Sequence, residues 1–539
     1  MKNTYFKILF FFLFIHFNLQ AQPPQCEKGV NFADLDINNV KARYWASGNM
    51  WFDSNLAQAH YEVPKGSGKH SFLSFDFWLG AVDEMGRERI VFQTYGGVGD
   101  TQPRYFPGPL DDIGDTYVEV CEHYDRVWKI NKSTVDSFRK GLLTNIPKDI
   151  LEWPAKNNPH IAYSPERELA PFVDVNGDSN YNPTEGDFPE ILGDQALWWV
   201  FNDKGGYGSP FLDKTLGMEI QAMAYAYNSV PELQNHTFYK YTFTNRSPLR
   251  MDSMMIGMYA DVDLGQFDDD YTGCETLRNM GIAYNGDDFD GIYKENIPIV
   301  GLKLLQGPQK SNGTYSDMYT CWNRNGDPNI WGFPEHETHA YRGLWGLLKD
   351  GSSMTYDNTP FLHMHPSDPT DENGLSMCSL DYHPADVRMF MGIGPFTMQV
   401  NEQKELHFAA LWVEEGVEYP CPSFAPIQEA ADYVQNLFDN GLITNIEDNS
   451  ALISSNSSLQ IFPNPTTTNT VLTLEQNPNQ AFQEGTLQLF DSLGQLVKSM
   501  TLKGKQHNEL TLSGLQSGVY FYRLQWEKGR VENGKLMIQ

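Results

Sequence analysis

The sequence predicts a mainly β protein: a multidomain chain of antiparallel β-sandwich modules that ends in a small Ig-like β-sandwich. Three observations predict it. Aromatic residues make up 13% of the 539 residues, and aromatic side chains favour strands. Glycine (45) and proline (31) punctuate the chain at short intervals, and few stretches have helical spacing. Where apolar residues show a period, it is two. In NHTFYKYTFTNRS, Thr237, Tyr239, Tyr241 and Phe243 share one face, as in a half-buried strand.

The elements follow in chain order. Residues 1–22, MKNTYFKILFFFLFIHFNLQAQ, carry Lys2 and Lys7, then an apolar run, then Leu19-Gln20-Ala21. This is the pattern of a cleaved secretory signal peptide. The apolar run is too short to span a bilayer and His16 interrupts it, so no transmembrane segment is expected in the mature protein. Residues 23–165 read as a first β-rich module, with a hairpin about Asp83-Glu84-Met85-Gly86 and a short amphipathic helix in VWKINKSTVDSFRKGLL. Residues 166–210 read as a connector. Residues 211–440 read as a second sandwich-like module. It contains a strand in SMMIGMYADVD and a hairpin turning at Asn401-Glu402. Its closing helix, in SFAPIQEAADYVQNLFDNG, is capped at Asn440-Gly441. Residues 441–458 are a Ser-rich linker. From 459 to 539 the chemistry changes: seven Lys or Arg face six Asp or Glu, whereas the whole chain has a net charge of -30. Strands are expected in VLTLEQ, GTLQLFDSLGQLVKSMTL, ELTLSGL, GVYFYRLQW and GKLMIQ, with turns at Ser492-Leu493-Gly494 and Ser517-Gly518.

The acidic balance excludes nucleic acid as a partner, because phosphates need Lys and Arg. It suits a solvated surface or one that collects cations. Six cysteines remain after cleavage, which permits three disulfides in an oxidising compartment. Cys26–Cys121 is the favoured pair, because both flank the first module. The spacing is wide and no CxxC occurs, which disfavours a thiolate zinc site.

The final segment resembles the type A C-terminal sorting domain of proteins exported by the type IX secretion system. The resemblance is carried by IFPNPT, LQLFDSLGQLV, LSGLQSGVYFYRL and the terminal GKLMIQ, in order, over residues 459–539. It implies Sec export to the periplasm, passage over the outer membrane, and an extracellular or outer-membrane surface location. The implied partners are the secretion machinery, its sorting-domain peptidase and a surface lipopolysaccharide anchor. The segment would be an address without activity of its own. Residues 26–440 resemble a group of large cargo proteins of the same system through NNVKARYWASGNMWFD, YEVPKGSGKHSFL, FPGPLDD, LAPFVDVNGD, GDQALWWVFND and GCETLRNMGIAYNGD. That likeness supports the location and assigns no activity.

Two acidic stretches are candidate calcium sites. In DVNGDSNYNPTEGD, counting Asp174 as position 1 places Asn176 at 3, Asp178 at 5, Asn180 at 7, Asn182 at 9 and Glu185 at 12. A hard cation wants six to eight oxygens at such a spacing. Ser179 stands where an EF-hand loop needs Gly, and Pro183 and Gly186 oppose a following helix. The motif therefore reads as a dockerin-like or thrombospondin-repeat-like loop, with Asp187 competing with Glu185 as the closing carboxylate. The alternative is an ion-free Asx-rich turn. In ADVDLGQFDDDYTGCE, Asp261 and Asp263 are spaced i, i+2 at a strand end, and Asp268, Asp269 and Asp270 follow. Carboxylates this close repel unless a cation or base intervenes. Calcium is the candidate neutraliser, against a solvated loop, and paired carboxylates also suit glycoside hydrolysis.

Other motifs carry less. His336, His339, His363, His365 and His383 cluster in sequence, and suit either a zinc site or scattered loop histidines, the commoner case. GSGKHS lacks the residues of a phosphate loop and reads as a glycine-hinged turn. Trp198 and Trp199 suit either sugar stacking or a core. No GxSxG and no local cysteine-nucleophile signature occur. The sequence thus points to a non-enzymatic structural, adhesive or glycan-binding protein with calcium-stabilised loops. The rival is a secreted hydrolase of polysaccharide or peptide.

Overall fold

A computed structural model describes residues 26–97, 104–205, 214–294, 297–324, 334–356, 358–414, 421–444, 459–462, 466, 471–476, 484–490, 496–505, 507–512, 514–516, 518–526 and 531–538. The expected signal peptide, most of the linker and the turn at Ser492-Leu493-Gly494 lie outside these residues, as does Ser517. Strands dominate, and every named ladder is antiparallel. The chain forms two compact units, residues 1–434 and 435–539.

The first unit is one sandwich rather than two modules. Its five-stranded sheet runs in the order Met318–Arg324, Val387–Met398, Met251–Val262, Ser74–Asp83, Glu88–Val91. The facing nine-stranded sheet is built on Trp128–Asn131, Gln195–Asn202, Met218–Ala226, Thr237–Asn245, Gln403–Glu414, Pro298–Gln306, Met280–Asn285 and Asp270–Glu275, in that order, with Phe106–Pro107 beside Gln195–Asn202. Strands from residues 23–165 therefore sit in the same sheets as strands from residues 211–440. This differs from the separate modules expected at 23–165, 166–210 and 211–440. Ladder pairing between Ser74–Asp83 and Met251–Val262 is long-range, and no local signal records it.

Period-two alternation explains the core. Phe75, Phe77, Ile256, Met258, Met389 and Met391 face inward from one sheet. Trp199, Tyr239, Tyr241, Phe243, Phe408 and Ala410 face inward from the other. Phe75 stacks on Phe408 at 5.5 Å, and Phe77 meets Tyr241 edge-on at 4.7 Å, so aromatics join the two sheets. Trp198 and Trp199 are 2% and 0% exposed; neither is a sugar-stacking platform. On the outward face of the five-stranded sheet, Trp78, Tyr259, Phe390 and Trp322 pack under the helix Glu337–Leu344 through Ala340 and Leu344. Gly257 permits this approach: a Cβ there would stand 2.5 Å from Phe390 and 2.8 Å from Leu344.

The hairpin at Asp83–Gly86 forms, with Gly86 at φ 78. The expected helix in SFAPIQEAADYVQNLFDNG spans Ala425–Asp439, and Gly441 follows at φ 70. The turn at Asn401 also forms, with φ 60. Its two strands do not pair, however: Val387–Met398 joins the five-stranded sheet and Gln403–Glu414 the nine-stranded one. The connection is an arch between layers, not a hairpin. Three disulfides, Cys26–Cys121, Cys274–Cys321 and Cys378–Cys421, account for all six cysteines.

The second unit has a three-stranded sheet, Leu459–Phe462, Val471–Gln476 and His507–Thr511. Its four-stranded sheet comprises Leu496–Leu502, Gly485–Phe490, Gly518–Trp526 and Val531–Ile538. Leu474, Leu487, Leu489, Leu510, Leu524 and Leu536 form its core. Except for Leu459–Phe462, which was not expected from the sequence, these strands fall where the sequence predicts them. Among the described residues, no helix is long and apolar enough to cross a membrane.

Candidate functional site

Strand register builds an acidic cluster on the outward face of the five-stranded sheet. Met258 and Ala260 point into the core, so Tyr259, Asp261 and Asp263 project the other way. Asp261 is the ladder partner of Arg388, and Val262 of Val387. Asp386, two residues before Arg388, falls on the same face. Carboxylate oxygens of Asp261, Asp263 and Asp386 all lie within 4.8 Å of one another.

Arg388 and Tyr95 organise this group. The Arg388 guanidinium lies 3.3 Å from Asp261 Oδ2 and also pairs with Asp386. The Tyr95 hydroxyl donates to Asp261 Oδ2 at 2.5 Å. Asp261 is wholly buried, and one guanidinium and one hydroxyl are its partners. Asp263 fares differently. Burial raises its pKa to about 7, helped by the charges of Asp261 and Asp386 and opposed by Arg388. Three carboxylates around one guanidinium leave a net negative site that a hard cation would suit.

Asp263 also enters the wall of a cleft of about 550 Å³, whose other polar walls include Asp34, Lys41, Gln58, His60, Glu62 and His70. The strands Lys41–Trp45, Tyr61–Glu62 and His70–Phe72, which belong to one small sheet, supply much of it. Gly68 lines it, and Gly66 and Gly68 take φ 85 and φ 74, so GSGKHS is a glycine-hinged turn. Asp34 is held by Arg43 at 2.8 Å and by Lys41 at 3.7 Å. Burial lowers the pKa of both His60 and His70.

Sequence reasoning found Asp261 and Asp263 and missed Asp386 and Arg388. A signal was present: Ala-Asp-Val occurs at 260–262 and again at 385–387. Register sets the two copies side by side.

The loop at 174–187 folds on its own polar groups. Asp174 accepts backbone amides from Gly177 at 2.7 Å and Ser179 at 2.8 Å. Asn176 accepts from the Asp178 amide, and Asp178 from that of Asn180. Ser179 takes φ 65, the left-handed conformation that a glycine would relieve. Pro183–Glu185 forms one 3₁₀ turn, with Asn182 accepting from the Thr184 amide. Asp187 is fully buried and accepts from Val175 and Asn182, both at 2.8 Å, which ties the ends of the loop together. Glu185 reaches Asn176 at 2.7 Å instead.

The histidines are dispersed. His336 and His339 lie with tilted rings, centroids 3.7 Å apart, where the helix Glu337–Leu344 begins. His363 forms an isolated bridge with Cys321 and His365 lies in the bend that follows, and burial lowers His365 to about 4.

No curated protein matches the sequence. Among solved structures, a polysaccharide lyase is 9% identical, with 59% of this chain and 34% of that chain covered and a TM-score of 0.17. The BSP domain of a biofilm-associated protein is 9% identical over 95% of this chain and 81% of that one, with a TM-score of 0.13. The dimeric latent PorU from Porphyromonas gingivalis is 11% identical over 91% of this chain and 42% of that one, with a TM-score of 0.13. Residues 460–539 match the family described as the secretion system C-terminal sorting domain. They fall within the second compact unit, and this chain therefore carries the sorting tail of a type IX secretion cargo.

Proposed function

We propose that the body acts outside the cell as a non-enzymatic structural or adhesive protein that binds glycans, with calcium stiffening its acidic loops. Signal-peptide export to the periplasm, passage through the type IX machinery, removal of the tail and lipopolysaccharide anchoring complete this reading. The observation that carries it is the cleft. Lys41, Gln58 and His60 offer donors there, and Asp34, Glu62 and Asp263 offer acceptors. Sugar hydroxyls both donate and accept, so a mixed polar wall suits them. The volume falls within the range of roughly 300–1,000 Å³ common for ligand clefts.

One observation favours a second reading, hydrolysis. Asp263 titrates near 7 in the cleft wall beside two other carboxylates, which is the environment of a general acid. A glycan screen of the secreted mature protein, scoring binding and reducing-end release separately, distinguishes the two. Binding without release is expected, weakened tenfold or more in Glu62→Ala. Release that disappears in Asp263→Asn would replace binding by hydrolysis. A screen that detects neither would remove the cleft from consideration.

A further inference from the structure

We propose a divalent-cation site, calcium by its donor chemistry, held by Asp269, Asp270 and Asn285 at the open end of the hairpin formed by Asp270–Glu275 and Met280–Asn285. It is separate from the loop at 174–187 and stands whether or not the body binds glycans.

The ladder places the donors. Asp270 and Asn285 are direct partners in the antiparallel register, so their side chains leave the same face about 5 Å apart. Cys274 and Ala283, at even spacing along the same two strands, face the core. Asp270 and Asn285 therefore project to the core side, between the sheets. Both residues are 0% exposed.

Each side chain has one oxygen left over. Asp270 Oδ2 accepts from the Leu264 amide at 3.1 Å, and Oδ1 has no hydrogen-bond partner. The Asn285 amide nitrogen donates to the Asp287 carbonyl at 2.9 Å. This fixes the amide orientation and leaves Asn285 Oδ1, also without a partner, as the free atom. Asp269 Oδ1 is a third buried oxygen without one. Because asparagine carries no charge, its orphan oxygen is evidence independent of the acidic residues. Buried polar atoms left unsatisfied cost about 1–3 kcal/mol each, so the two that face each other across the ladder call for a common partner, with Asp269 next to Asp270 in the chain.

Charge leads the same way. The charged groups that act on Asp270 are Asp269, Asp263 and Asp290, all acidic. Asp290 is no competing ligand: its carboxylate accepts the amides of Gln266, Ile292 and Tyr293. A proton shared between Asp270 and Asn285 is the rival solution. It would satisfy two of the three oxygens and leave Asp269 Oδ1 orphaned. Two carboxylates and an amide oxygen form a hard donor set, which suits calcium better than the nitrogen- and sulfur-seeking metals.

The test uses the full mature chain, washed with chelator and then loaded with calcium alone. Bound calcium per chain is measured after dialysis. Asn285→Leu is expected to hold one calcium fewer than the native protein. Asp288→Asn, a charge control at an exposed position of the same loop, is expected to hold the native number. Near-UV circular dichroism checks folding. If Asn285→Leu does not fold, Asp269→Asn provides the reading, with one equivalent bound at least tenfold more weakly. An unchanged count and affinity in the folded variant would overturn the site in favour of the shared proton. An equal loss in Asp288→Asn would overturn it in favour of diffuse acidic attraction.

Discussion

At the scale of single residues, burial decides which carboxylates stay charged. Asp76 is 1% exposed on the outward face of Ser74–Asp83. It accepts from Gln93 Nε2 at 2.8 Å and from the Gly96 amide at 3.1 Å. Burial outweighs these bonds and the attraction of Lys28, and raises its pKa from 3.8 to about 7. The folded state thus holds this proton more tightly than the unfolded chain. Its contribution to stability is complete below about pH 4 and is lost as pH rises through 7. Asp76→Asn removes that slope and leaves one mismatched hydrogen bond at every pH. The gap between native and variant urea midpoints is therefore expected to shrink between pH 4 and pH 8; a constant gap would refute the shift. Asp261 is equally buried but lies against Arg388 and Tyr95. The i, i+2 spacing of Asp261 and Asp263 was legible in the sequence. Their meeting with Asp386 and Arg388 was not, because that depends on register between strands more than a hundred residues apart.

At the scale of elements, cross-links and arches hold the layers together. Cys274 lies on the edge strand of the nine-stranded sheet and Cys321 on the edge strand of the five-stranded sheet, so this disulfide clips the two layers at one end. Its sequence separation of 47 residues corresponds to about 4 kcal/mol of lost unfolded-state entropy. Cys274→Ala with Cys321→Ala is expected to lower the urea-derived stability by about 2–5 kcal/mol, and an unchanged midpoint would argue against the clip. The 401 turn teaches a related lesson. Its residues specify a reversal correctly, with Asn401 in the left-handed region. A reversal does not say whether the two arms will pair or part, since both arms read as alternating strands. Here each arm buries its apolar face from an opposite sheet, and the turn becomes an arch. The hairpin at Asp83–Gly86 reads alike in sequence and does pair.

At the scale of the whole molecule, the chain divides into two compact units, and the sorting-domain match lies in the second. The tail folds around its own leucine-rich core, and its residues 460–539 match a sorting domain. Deleting residues 459–539 is therefore expected to leave the body folded but trapped in the periplasm, as read by fractionation and surface proteolysis. Surface display of the truncated chain would contradict the assignment. By itself the sequence determined the β class, most strands of the tail, the sorting signature and the acidic stretches, because period-two alternation, turn residues and terminal motifs are local and survive in one dimension. Only the tertiary structure decided that the expected modules share one core, that Trp198 and Trp199 are interior, and that Asp263 looks into a cleft. It alone set Asp270 against Asn285 with oxygens to spare. The physical reason is the same throughout: in an antiparallel sandwich the partners of a strand are chosen by long-range register and by burial between sheets, and neither leaves a mark on the residues nearby.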